Sequence, residues 1–260
     1  MSEQNLAGYH AVVCGASRGI GRACAEALAA RGARLTLVAR NADALADVRD
    51  KLIAGKGVEH AVLALDLDDT DTLVERLADV ARPVHILINN AGGPPSGPLI
   101  DAKAEEFRRG FERLLIAAHL ITQQLVPGMR EAGYGRIVNI VSTSVREPIP
   151  GLGVSNTIRA ACAGWAKTLS RELASDNITI NNVLPGFTAT DRLGSLFTAR
   201  AERGGRTVED VERDALAGVP AGRFAEPEEI AATVAFLASP DAGYITGSSL
   251  AVDGGRLHAI

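Results

Sequence analysis

The run Cys14-Gly15-Ala16-Ser17-Arg18-Gly19-Ile20-Gly21 is where backbone chemistry concentrates. Gly15, Gly19 and Gly21 at this spacing let a chain turn tightly and approach a pyrophosphate closely. A helix starting at Gly19 would add free N–H groups and the positive end of its dipole, both of which hold phosphates. A glycine triplet alone is a weak signal; between a first strand and a first helix it is a strong one. The plainer alternative is an ordinary glycine-rich βα turn. Roughly 20 residues further on, a site for NAD(H) usually offers Asp or Glu to the ribose hydroxyls. This chain has Ala39-Arg40-Asn41 instead. Arg40 and Arg18 suit charge-assisted bonds to a 2′-phosphate, which favours NADP(H) over NAD(H); otherwise each is a solvated surface side chain. Asp66 and Leu67 follow a third apolar run. They are read as the adenine edge, with Asp66 accepting from the amino group or, equally, capping the next helix.

Those residues need a frame, and the hydrophobic pattern supplies one. Short β-branched runs alternate with longer alanine-rich ones. Strands are expected at 10–14, 35–38, 61–65, 84–88, 137–141, 179–184 and 250–252. Helices are expected at 19–30 with Gly32 closing it, from Asn41 to about Ile53, and from Asp69 or Thr70. Longer ones are expected from about Ala104 to Glu131, from about Ser155 to Ser175, and from Pro227 to about Ala238. Apolar strands separated by helices imply an α/β fold: one doubly wound parallel sheet (Rossmann fold) of about seven strands, covered on both faces. No composition break divides residues 1–260, so one domain is expected. The irregular stretch at about 186–223, with helical pieces around 192–202 and 208–216, is expected to be a substrate loop or lid.

Composition narrows the function classes. Hydrophobic residues make up 47% and charged residues 22%, and mean hydropathy is +0.10, which excludes disorder. No apolar run reaches the ~18 residues of a membrane span. With 27 basic and 31 acidic residues the net charge is -4, without like-charge blocks, so nucleic acid is not the expected partner. The start MSEQNLAGY lacks a secretory pattern, and Cys14, Cys24 and Cys162 form neither a disulfide framework nor a metal set. A cytoplasmic setting and no metal are expected. His119, among apolar neighbours, is expected to be a core histidine.

These segments resemble the short-chain dehydrogenase/reductase family. Asn89-Asn90-Ala91-Gly92 is similar to its NNAG signature, and Pro185-Gly186 followed by Thr188 to its cofactor-contacting PG loop. Gly222-Arg223…Pro227-Glu228-Glu229-Ile230 and Gly247…Val252-Asp253-Gly254-Gly255 resemble its C-terminal signatures. The resemblance covers essentially the whole chain and is nearest to the β-ketoacyl carrier-protein reductase branch. It implies a nicotinamide site in which Asn90, Ala91, Gly92, Pro185, Gly186 and Thr188 join Gly15, Ser17, Arg18, Gly19, Ile20 and Gly21. It also implies a homo-oligomer, commonly a tetramer; Ala160, Ala161, Ala163 and Gly164 would permit close helix approach or equally serve helix–sheet packing.

The family works with Ser, Tyr, Lys and Asn. Placed by position, these roles fall on Ser142, Ser155, Arg159 and Leu114, so only the Ser keeps its identity. Residues i and i+4 share a helix face, so Ser155 and Arg159 would reach one cofactor edge. A serine hydroxyl is too weakly acidic to replace a phenol, and an arginine stays protonated and relays no proton. Arg159 remains able to bind ribose hydroxyls or polarise a substrate oxygen, and water in the space of the missing ring would be the proton donor. Ser155 and Asn156 are candidates for participation or for helix capping. Arg192, Arg200, Arg203 and Arg206 would clamp an anionic substrate or form a solvated lid. Gly92-Gly93-Pro94-Pro95-Ser96-Gly97-Pro98 makes a stiff loop beside the nicotinamide position. Three functions are compatible: an NADP(H)-dependent oxidoreductase acting on a small-molecule carbonyl or alcohol, a cofactor-binding sensor or scaffold, and a lyase or isomerase built around Arg159. The undamaged cofactor side favours the first.

Overall fold

The computed structural model describes residues 5–52 and 58–259. Its centre is a seven-stranded, fully parallel sheet: β1 (His10–Cys14), β2 (Arg34–Ala39), β3 (Ala61–Ala64), β4 (Ile86–Asn89), β5 (Gly135–Ile140), β6 (Ile178–Pro185) and β7 (Ser249–Val252). The strand order is β3-β2-β1-β4-β5-β6-β7. The order reverses between β1 and β4, and loops leaving these two strands diverge to opposite faces. A crevice therefore opens at their C-terminal ends, where doubly wound sheets bind ligands.

Both faces are covered, as near-continuous apolar strands require. On one face α1 (Gly19–Ala30), α2 (Ala42–Lys51) and α9 (Pro227–Leu237) pack with Leu28, Leu45 and Ile230 fully buried. On the other, α3 (Thr70–Arg76), α5 (Ala117–Ala132) and α6 (Gly153–Leu173) bury Leu73, Leu125 and Ala166. Local signals set the ends. Gly32, at φ +92°, donates to Ala29 O and closes α1. Asn41 accepts from Ala44 N at 3.0 Å and starts α2; its expected end, Ile53, lies outside the described residues.

One expectation needs correction. The helix expected from Ala104 to Glu131 is α4 (Ala104–Phe111) joined to α5 by a π-helical turn, Glu112–Ile116. The wider turn frees a carbonyl, and the Cys162 thiol on α6 donates to Leu114 O at 3.5 Å. The helical pieces expected within 186–223 are α7 (Asp191–Gly204) and α8 (Val208–Ala217). They fold back on their own small core of Leu193, Phe197, Ala201 and Val211.

The opposite end of the sheet holds a cluster of imidazoles. His10 is buried, and its Nε2 lies 2.9 Å from Thr36 Oγ1. Burial, reinforced by the nearby Arg34 charge, lowers its pKa from 6.5 to about 4. The His60 and His85 imidazoles are pushed down too, by burial and, for His85, by Arg34. The fold accommodates neutral His10 only. Its contribution is therefore complete above pH 6.5 and is lost as pH falls toward 4, at a cost of about 3 kcal/mol at most. Urea unfolding should show stability falling from pH 7 to 4.5, with a shallower slope in His10→Gln; an unchanged slope would clear His10 of the effect.

Candidate active site

The crevice encloses about 750 Å³ and is lined by every loop that leaves the C-terminal ends of β1 to β6. At its β1 side the chain turns between Gly15 and Gly21. Gly15 (φ +62°) and Gly19 (φ +53°) adopt left-handed backbone, which glycine alone adopts without strain. A Cβ on Gly21 would lie 2.1 Å from the Gly15 carbonyl oxygen and 2.6 Å from Asn90 Nδ2. No side chain fits there, and α1 consequently starts directly beneath the turn. Asn90 Nδ2 donates to Cys14 O at 3.3 Å and to Gly15 O at 3.5 Å, so the loop after β4 braces the turn after β1. No side chain caps α1, whose first N–H groups are left open.

Gly15, Ser17, Arg18 and Ile20 line the crevice, whereas Gly19 and Gly21 shape it from behind. Arg18 and Arg40 are exposed, line it, and make no ion pair among the described residues. Asp66 and Leu67 line the edge beyond β3. Asp66 Oδ1 accepts from Asp68 N (3.1 Å), and the cap of α3 is Asp69, so the capping alternative for Asp66 falls away. Arg113, from the π turn, also lines the crevice but is paired with Asp68, which holds that carboxyl below its usual range by hydrogen bond. On the far side, Pro185, Gly186 and Thr188 form the wall. Gly186 packs against Asp253, where a Cβ would approach the Asp253 Cα to 2.7 Å. Asn90, Ala91 and Gly92 complete the floor.

Ser142 follows β5. Its Oγ accepts from Ser144 N at 3.1 Å, which leaves the hydroxyl hydrogen free to donate into the crevice. Ser155 and Arg159 stand one turn apart on α6, and both line the crevice. Arg159 Nε donates to Ser155 Oγ (3.2 Å), and its Nη1 donates to the Ile140 and Val141 carbonyls at the end of β5 (3.2 and 2.6 Å). The guanidinium is thus held in one plane. Partial burial pushes its pKa down, and the like charge of Arg192 adds to that. Asn156 turns away from the crevice: its side-chain amide exchanges two bonds with the Ile149 backbone, and the residue capping α6 is Leu152. Neither role expected of Asn156 is realised.

None of the chain's three tyrosines lines the crevice. Tyr134 is buried and donates to Ala238 O, Tyr9 stacks on Tyr134, and Tyr244 is fully exposed. Behind Arg159 lies a small cavity of about 30 Å³ bounded by Leu114, Asn139, Cys162 and Trp165. It is large enough for a water molecule, and Asn139 and Arg159 give it polar walls. His119 accepts from Trp165 Nε1 at 3.2 Å, as a satisfied histidine should.

Two features escaped the sequence reading. First, buried side-chain amides link the strands: Asn89 donates to Asn139 (2.9 Å), Asn139 to Asn182 (2.9 Å), and Asn182 to Ser249 (3.1 Å). These four are register partners across β4 to β7. The signal was present as an asparagine in each of three largely apolar strands. Second, the arginines of α7 bind loops of the protein while staying partly or largely exposed. Arg192 Nη2 donates to Pro94 O (2.8 Å), Arg200 to Pro150 O (3.2 Å) and Arg203 to Ser96 Oγ (3.1 Å). Only Arg206 stays local, bonded to Asp210 and Asp214 of α8. The Gly92–Pro98 loop therefore receives two of the other three arginines.

Comparison with known proteins agrees with this geometry. A family model described as enoyl-(acyl carrier protein) reductase matches residues 15–256. The 3-oxoacyl-[acyl-carrier-protein] reductase FabG of Vibrio cholerae is 38% identical over 253 residues, covering 96% of this chain and 98% of that protein. FabG of Escherichia coli K12 is 38% identical over 252 residues, with the same coverage. The crystal structure of L-sorbose reductase from Gluconobacter frateurii, complexed with NADPH and L-sorbose, superposes with a TM-score of 0.90 at 32% identity, over 99% of this chain and 100% of that one. The chain belongs to the short-chain dehydrogenase/reductase family of oxidoreductases.

Proposed function

We propose that the protein is an NADP(H)-dependent oxidoreductase that interconverts a carbonyl and an alcohol, with water in place of a side chain as the proton donor. The observation that carries this reading is one crevice lined by Arg18, Arg40, Ser142 and Arg159 but by no tyrosine. The residues fit the cofactor. The cradle at Gly15 and Gly21 would be filled by a Cβ, the start of α1 is uncapped, and two exposed arginines without ion pairs stand where a 2′-phosphate needs charge. Asp66 and Leu67 would take the adenine end, and Asn90, Gly92, Pro185, Gly186 and Thr188 the nicotinamide end.

When bound, NADPH supplies the hydride that a carbonyl carbon accepts. The chain's own residues handle the oxygen. Ser142 Oγ donates a hydrogen bond to it. Arg159, fixed by the Ile140 and Val141 carbonyls, offers a permanent positive charge against the negative charge that grows there. Neither group gives up a proton at neutral pH, so the proton on the product alcohol comes from water. A missing general acid costs about 10²–10⁴-fold in rate, which slows this chemistry without abolishing it.

Three outcomes follow. Arg40→Gln should weaken NADPH binding by about 10–100-fold and leave NADH binding unchanged, since it removes one bond to a charged group; fluorescence titration reads this, and equal losses for both nucleotides would reverse the cofactor assignment. The crevice lining contains no His, Cys, Tyr or Lys. The rate of ketone reduction should therefore be flat between about pH 6 and 9, and a sigmoidal fall near neutrality would reveal a titrating acid. Replacing Ser155→Tyr together with Arg159→Lys should raise reduction of neutral ketones by up to about 10²–10⁴-fold. NADPH binding without oxidation across acetoacetyl thioesters, quinones and simple ketones, in both wild type and this double variant, would favour a nucleotide-binding protein without redox turnover.

A further inference from the structure

Arg159 is a half-buried charge on the crevice wall that makes no salt bridge among the described residues. A guanidinium has five N–H donors. Three have acceptors: Nε on Ser155, and Nη1 on the carbonyls of Ile140 and Val141. The two on Nη2 have none among the described residues. A guanidinium with unused donors on a crevice wall offers charge-assisted, bidentate bonds to a carboxylate.

The geometry shows where that would be. The position a Cβ would take on Gly93 lies 3.2 Å from Arg159 Nη2, 3.6 Å from Ser155 Oγ and 3.7 Å from Arg192 Nη2. Gly93, Ser155, Arg159 and Arg192 all line the crevice. One spot beside the Gly93 backbone is therefore in reach of two guanidinium groups and a hydroxyl. Ser155 already accepts from Arg159, so its own hydrogen is available to donate. Arg192 uses only Nη2, on the Pro94 and Gly93 carbonyls, so its Nε and Nη1 donors are unused, and among the described residues it makes no ion pair. Its pKa is pushed down, first by burial and then by the like charge of Arg113. Arg256 adds a third cation to the same wall, resting over Phe187 and donating to Thr143. The only acid lining the crevice is Asp66, beyond β3 at the adenine end. The phosphates of a dinucleotide belong at the β1 turn and Arg40, so they do not account for this cluster.

We propose that the substrate is an oxo acid: its carboxylate sits beside Gly93, bridged by Arg159 and Arg192 and hydrogen-bonded by Ser155, while its carbonyl faces Ser142. This rests on the carbonyl-reductase reading and names its substrate class. Arg192 belongs to α7, so a bound carboxylate also ties the lid to α6. No redox step beyond carbonyl reduction is implied.

The test uses the intact protein loaded with NADP+ and three matched pairs: pyruvate, acetoacetate and 4-oxopentanoate, each against its methyl ester. Calorimetry should show at least one acid binding ten times or more tightly than its ester. That preference should vanish in Arg192→Gln, which keeps the lid polar, and in Gly93→Ala, which puts a methyl group at the carboxylate position. Thermal melting and NADPH titration of both variants check that the fold and the nucleotide site are intact. No acid preference in any pair, or a preference that survives both substitutions, overturns the proposal. NADPH consumption separates the two readings. Acid-selective binding with no turnover removes the reductase and leaves the anion site standing. Equal turnover of acids and esters keeps the reductase and removes the anion site.

Discussion

Everything at the crevice depends on how closely three backbones approach one another. The turn after β1, the first residues of α1 and the loop after β4 meet around Gly15, Gly21 and Asn90, with no room for a Cβ between them. The Asn90 amide closes the gap by donating to two carbonyls of the turn. Were the approach looser, α1 would start further from the sheet and its open N–H groups would no longer face the crevice. The sheet contributes the other half of this constraint. The order reverses between β1 and β4, so their loops part to opposite sides and leave space at that point alone.

The second half of the crevice obeys a different logic. A lysine would place a mobile point charge on α6; Arg159 places a planar fork that three acceptors lock in position. The carbonyls at the end of β5 thereby become ligands for a side chain. The small side chain beside it matters as well. Ser155 is short, accepts from Arg159, and leaves open the volume into which Gly93 and Arg192 project. The crevice thus carries fixed cations beside an open volume on α6.

Much of this could be read from residue order, and the exceptions have physical causes. Strand and helix positions followed from hydrophobic period and caps: Gly32 and Asn41 do what their types suggest. The turn at Gly15–Gly21, and Arg40 at the tip of β2, follow from spacing, because each depends on neighbours close in sequence. What could not be read depends on partners far apart in the chain. Arg192 meets Pro94 across 98 residues, and Arg203 meets Ser96 across 107. A π turn has almost the same periodicity as the helix around it, so Glu112–Ile116 left no mark in the pattern. Asn156 was misassigned for a related reason: near a helix start its amide suits a cap, but the partner it finds is the Ile149 backbone in the preceding loop.

The amide chain from Asn89 to Ser249 bears on how the molecule is tied together. It crosses four strands, so prising these strands apart sideways would break two buried bonds and a part-buried one together. The fastenings of α7 reach acceptors on surface loops, and the helix packs on its own small core. The two sides of the molecule are thus tied differently: amides bolted strand to strand in one, guanidinium latches at the surface in the other.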